Sequence, residues 1–373
     1  MMLIPSLPAA TMLVLLFVVF EPACVSSSGS HAWSWRHEVL WAGRDKIQSI
    51  ALGELVPECE GPEVVGVDAA GKVILISGIA TEPRAEVLHE HGAKLTGLLI
   101  ADLDPAAPGA ELYVGGHRED GSGGAVVQIV LDGSDVRIRT VWLGEGFVHA
   151  LAWLGSPGAS PSLVITSYAG EVWIATPKRG GGPWPKRLLH REPGTGDSEG
   201  LKIKDVLAGP IGGTTPRVFI AVKSGRGVLI DTRQQEAPVL LHEEPGGIAR
   251  LALGPSGDLL LAGNEGRVVR LSRTLRGGWT ESPLYRDIKK LRGIAPGRFR
   301  TPTGSSPLAV FGHAGLCRLL TERNGGWDSF TIYDDGAPGH WLAAGNIIPG
   351  NDSDELVCAG YSGRIVMAYV AGP

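Results

Sequence analysis

The sequence predicts an all-β chain that closes into a ring of seven four-stranded antiparallel blades, a β-propeller. Three observations predict it. Short apolar runs separated by Gly, Pro and Asp turns recur along the whole body, and none is long enough for a packed helix. A glycine opens the third run of each unit, at Gly71, Gly124, Gly170, Gly225, Gly266, Gly315 and Gly363, a period of roughly 50 residues. The two ends are complementary: the first strand-like stretch, Trp35 to Trp41, matches a fourth strand, and the chain stops after a third one. An open array would expose both edges, whereas pairing the ends removes them.

Residues 1–30 carry an apolar run from Ala9 to Phe20, then Glu21 and a Ser-rich stretch. The run is short for a membrane span and suits an export signal or N-terminal anchor, although no Lys or Arg precedes it. Cys24 is a candidate lipidation site. The expected location is therefore secreted, periplasmic, or extracytoplasmic with membrane attachment through the N-terminus alone. The body, residues 33–371, reads as one propeller, since its glycines and prolines are spread among turns rather than gathered in a linker.

A second mark ends each fourth strand: Trp41, His89, Leu143, His190, His242, Tyr285 and Tyr333. Most are aromatic or imidazole groups, able to pack beside the neighbouring blade and hydrogen-bond across it. Cys317 and Cys358 fall inside strand-like segments and read as buried fillers, with a disulfide between them left open. A net charge of −5 gives no general reason to expect a nucleic-acid partner. No H-E-x-x-H helix or phosphate loop is present, and the G-x-S-x-G match at Gly196 to Gly200 lies in a Gly- and Pro-rich stretch rather than between a strand and a helix, so it does not read as a nucleophile turn.

Unit two contains ADLDPAAPGAELYVGG and unit seven GNIIPGNDSDELVCAG. Both resemble the acidic loops of the integrin-type and VCBS-type (FG-GAP-like) propeller repeats. The resemblance implies calcium where aspartates are dense. Here Pro105 follows Asp104, and the Asp102–Asp104 and Asp352–Asp354 pairs supply few of the six to eight oxygens calcium prefers. A single divalent cation is therefore the most that these loops lead one to expect, and turn capping is the simpler role. Asn351–Asp352–Ser353 also fits a glycosylation acceptor.

Function should lie where equivalent positions differ between units. The second residue of the first strand is Gln48, Thr96, His149, Lys204, Ala249, Arg292 and His340, preceded in six of the seven by an apolar residue, Ile47, Leu95, Val148, Ile203, Ile248 or Leu291, and alternation along the strand gives this set one orientation. In a propeller these innermost strands begin near one mouth of the axial channel. His149 and His340 are candidate proton-transfer residues, and Gln48, Thr96, Lys204 and Arg292 candidate ligand contacts. Three readings follow. The first is a binding propeller for a glycan or other oxygen-rich or anionic ligand. The second is a polysaccharide lyase or sugar dehydratase acting on an oxidised sugar through a His base. The third is a protein-interaction scaffold without a small-molecule site.

Overall fold

The computed structural model describes residues 34–370, except 108, 134, 157–158, 181, 195–198 and 302–306. The expected export signal, Cys24 included, lies outside the described residues. Among the described residues no helix is long and apolar enough to cross a membrane. The regular structure is 28 strands in seven antiparallel sheets of four. The strands of each blade are named A to D from the axis outward. Six blades are continuous in sequence. The seventh takes A, B and C from Gly339–Gly345, Glu355–Gly360 and Arg364–Val370, and D from Trp35–Ala42. This N-terminal strand pairs in register with the last one, Trp35 opposite Val370 and Val39 opposite Val366. The ring is a closed seven-bladed propeller.

Burial follows from position in the blade. B strands such as Glu63–Asp68 and Glu355–Gly360 are buried at every residue, whereas Arg84–Glu90, a D strand, is exposed along most of its length. The apolar side chains gather in seven clusters, one between each pair of adjacent blades, so every sheet is covered on both faces by its neighbours. Cys317 and Cys358 belong to the cluster between blades six and seven; they are buried and free, and their thiols hydrogen-bond.

The register glycines act as expected in six blades. Gly71, Gly170, Gly225, Gly266, Gly315 and Gly363 have positive φ, a conformation that costs a residue with a Cβ but not glycine. Gly124 differs: it sits within a strand, paired with His117. The B–C turn of blade two is longer, residues 118–123, and its positive-φ glycine is Gly121.

Four blade interfaces carry the same polar latch. The D-strand-end residue faces a carboxylate two positions on, hydrogen-bonded to it in three of the four and within ion-pair distance at His242, and that carboxylate pairs with an arginine of the next blade's C strand. His190, Glu192 and Arg226 join blades three and four, at 2.9 and 2.5 Å. His242, Glu244 and Arg267 join four and five, at 3.4 and 3.2 Å. Tyr285, Asp287 and Arg318 join five and six, at 3.3 and 3.4 Å. Tyr333, Asp335 and Arg364 join six and seven, at 2.6 and 2.8 Å.

Candidate functional site

The seven A strands share one irregularity. In each, the register shifts between the first and third residues, so the second is the extra residue of a β-bulge. These bulged residues are Gln48, Thr96, His149, Lys204, Ala249, Arg292 and His340. The bulges stitch neighbouring blades around the axis. Thr96 Oγ1 donates to Val148 O at 2.9 Å and Ser49 Oγ to Thr96 O at 2.6 Å. His340 Nδ1 bonds Gln48 O at 2.9 Å across the ring closure, whereas His149 Nδ1 is buried without a partner. Thr96 is thus committed to the scaffold, and Gln48 offers its carbonyl to His340.

Above the bulges lies a second ring. Ala69, His117, Tyr168, Lys223, Asn264, His313 and Tyr361, at the B–C turns, each donate a backbone N–H to the residue preceding an A strand. Those acceptors are Lys46, Lys94, Phe147, Lys202, Gly247, Lys290 and Pro338. One mouth of the channel is therefore rimmed by cations and aromatic rings. Lys204 Nζ donates to Tyr168 Oη at 2.8 Å, and Tyr168 stacks on His149 with centroids 4.9 Å apart. Lys46 sits 4.1 Å over the ring of Tyr361, which meets His340 edge-on.

The third residues of the A strands lie one step further along. Arg250, in blade five, is 4% exposed and holds its guanidinium 3.8 Å over the ring of Trp341 in blade seven. One N–H, on Nη1, donates to Ala249 O at 2.7 Å, whereas Nε and Nη2 are buried without a partner. Buried Asp205 faces this charge and accepts from Leu251 N at 2.8 Å and Val206 N at 2.9 Å. Arg292 Nε is also buried and unpaired. Native interiors rarely leave donors unmatched, and an unmatched one costs about 1–3 kcal/mol.

The electrostatics agree. Lys46 is pulled down to about 7 by desolvation, then by Lys94, Arg250, Arg292 and Lys204, all of them cations. Lys204 falls to about 7 through desolvation and then Arg292, Lys223, Lys202 and Arg250. Desolvation also lowers Arg250 to about 10, against the pull of Asp205. His149 and His340 are held well below the usual imidazole range, first by burial and then by Arg250. The mouth gathers positive charge on a chain whose net charge is negative, and it leaves its histidines neutral.

The acidic hairpins cap their own turns, the simpler of the two roles that their sequence suggests. Glu111 Oε2 accepts from Leu103 N, Asp104 N and Tyr113 Oη, and Glu355 Oε2 from Ile347 N and Ile348 N. Glu63 does the same for Leu55 and Val56 in blade one. Asp104 is buried against Arg139 and caps its turn through Ala106 N, while Asp102 is exposed. Asp354 binds Arg298 and Asp352 pairs with Arg300. A backbone-capping glutamate and arginine partners occupy these loops. Among the described residues, the group able to hold a divalent cation is instead His89, His91 and Glu119.

A cleft of about 670 Å³ opens on the opposite face between blades five and six, lined by Leu253, Arg270, Leu284, Phe299 and Trp327. It holds none of the histidines or unpaired cations of the mouth. The chemistry is concentrated at the axis.

No protein-family model matches the chain, so the likeness to integrin-type and VCBS-type repeats extends to the propeller architecture and no further. No curated protein matches it in sequence. Solved structures do match in fold. An inactive His-to-Ala variant of virginiamycin B lyase from Staphylococcus aureus, with quinupristin, aligns at TM-score 0.63 and 13% identity, over 91% of this chain and 100% of that one. The WD40 propeller domain of Doa1 aligns at 0.60 and 12%, over 89% and 96%. BBS1N in complex with ARL6DN aligns at 0.59 and 14%, over 91% and 97%. At these identities the likeness establishes the fold and leaves function to the site.

Proposed function

We propose that the protein is a protein-interaction propeller whose cationic axial mouth docks an acidic segment of a partner. The observation that carries this reading is Arg250, a buried guanidinium with two nitrogens, Nε and Nη2, unpaired. Carboxylates entering the mouth would meet Arg292, Lys204 and Lys46 first, and charge-assisted hydrogen bonds to arginine are among the stronger polar contacts. One fold neighbour, BBS1N, is in complex with another protein, ARL6DN, which supports a protein ligand. Binding of an acidic glycan at the same mouth rests on the same charge and is the alternative outcome of the test. Export through residues 1–30 would place this surface outside the cytoplasm.

The test is fluorescence anisotropy with a labelled oligo-glutamate peptide, set beside oligogalacturonate and an uncharged peptide. The acidic peptide should bind, and Lys204→Ala and Arg292→Ala should each weaken it. Preference for oligogalacturonate would transfer the reading to glycans. Absence of binding to either anion would remove the mouth as the docking site.

A lyase reading has one observation in its favour, the neutral imidazoles of His149 and His340 beside fixed cations, in a fold shared with virginiamycin B lyase. His340 already bonds backbone, and strong depression of the pKa of both rings makes them weak bases. Turnover of a uronic-acid glycan that His149→Ala or His340→Ala abolishes, with binding retained, would favour this reading over docking.

A further inference from the structure

The latch that joins blades three through seven is rebuilt between blades one and two. Glu192, Glu244, Asp287 and Asp335 each donate backbone N–H to the register glycine of their own blade, and His91 makes the same bond to Gly71 O at 2.9 Å. His91 therefore stands where the other blades carry a carboxylate, two residues after His89. The partner arginine is missing too: Ala125 follows Gly124, where Arg226, Arg267 and Arg364 follow Gly225, Gly266 and Gly363. Blade two supplies something else, the extended turn 118–123, which brings Glu119 to the two histidines.

The result is a set of donors rather than a salt bridge. One ligand atom from each of His89, His91 and Glu119 lies within 4.8 Å of the others. His91 Nε2 is 2.8 Å from His117 O, which makes it the protonated nitrogen and leaves the lone pair on Nδ1. That Nδ1 is buried without a hydrogen bond, 3.8 Å from Glu119 Oε1. His89 Nε2 is likewise buried and unpartnered, and burial followed by the neighbouring His91 lowers the His89 pKa. Metal-binding imidazoles commonly donate their second N–H to a carbonyl, as His91 does here.

We propose that His89, His91 and Glu119 bind one divalent transition metal of the zinc class, clipping blade one to blade two. Two imidazoles and one carboxylate suit zinc, nickel or copper rather than calcium or magnesium, which take oxygen ligands. Metal–ligand bonds of about 2.1 Å would draw the three atoms closer than they now lie. Glu119 can move, since its side chain is 72% exposed on a turn. Three protein ligands leave a coordination position for water.

Zinc titration by calorimetry and metal analysis of the full chain tests this. One zinc per chain should bind, with a rise in melting midpoint that calcium at equal concentration does not produce. Glu119→Ala, on an exposed turn, should keep its metal-free melting midpoint and bind zinc at least about tenfold more weakly. His89→Gln should do the same. Absence of stoichiometric zinc, or unchanged affinity in both variants, overturns the proposal, the latter by placing the metal on other ligands such as Cys59.

Discussion

The Arg250 guanidinium lies 3.8 Å from the ring centroid of Trp341, spanning the axis from blade five to blade seven. The contact leaves Nε and Nη2 without hydrogen-bond partners. A buried cation–π pair contributes roughly 2 kcal/mol, less than full pairing of a desolvated guanidinium would supply. The axis thus holds a cation preset for an anion.

Titration should report this directly. Lys46 and Lys204 have folded-state pKa values near 7, below their ordinary 10.5. Below pH 7 both are charged in the folded and unfolded states alike, and the repulsion is fully present. Above it the folded protein sheds protons that the unfolded chain keeps, so stability rises with pH between about 7 and 10. An anion in the mouth favours the charged lysines. Binding of the acidic peptide should therefore take up protons near pH 8 and weaken as pH rises from 6 to 9. Calorimetry in buffers of different ionisation enthalpy measures the uptake; proton release would contradict the assignment.

Removing residues 35–42 deletes the D strand of blade seven and exposes the edge of Arg364–Val370. The deletion should abolish cooperative unfolding or cause aggregation. Monomeric protein with an unchanged melting midpoint would argue against closure by this strand.

The latches predict coupling. Glu192→Ala strands Arg226 beside a buried site and should cost about 3 kcal/mol in urea unfolding. Adding Arg226→Ala should recover part of that loss, because the second change removes the uncompensated charge. Additive losses would show that the two side chains act separately.

Glu355→Ala should destabilise by about 2 kcal/mol, since it leaves the amides of Ile347 and Ile348 without their acceptor. Hydrogen exchange would show the loss at that hairpin. Protection unchanged there would mean that water replaces the carboxylate.

Much of this was legible in the sequence. The register glycines and complementary ends determine the closed ring, and the varied second residues of the A strands are the bulged positions. Alternation, however, gives the wrong reason for their orientation. A bulge adds a residue and re-aims the chain, so the third position also reaches the axis, and the spacing gives no sign that Arg250, Asp205 and Trp341 join Ala249, Lys204 and His340 there. The turn residues Tyr168, His313 and Tyr361, two positions before a register glycine, carried a usable signal. Glu119 carried none, because its meeting with His89 and His91 depends on how two blades pack. The acidic hairpins cap their turns, as their sparse aspartates suggest, but that Glu111 and Glu355 would do the capping was not legible, because which oxygen a backbone amide claims is a matter of geometry that spacing does not encode.

The most direct measurement is the affinity of the oligo-glutamate peptide for the unaltered protein and for Lys204→Ala/Arg292→Ala, by anisotropy at pH 6.5 and low salt. The account predicts binding that the double variant loses by at least about tenfold, each charge-assisted bond being worth about 1.5–3 kcal/mol. Equal affinity in a folded double variant would contradict it.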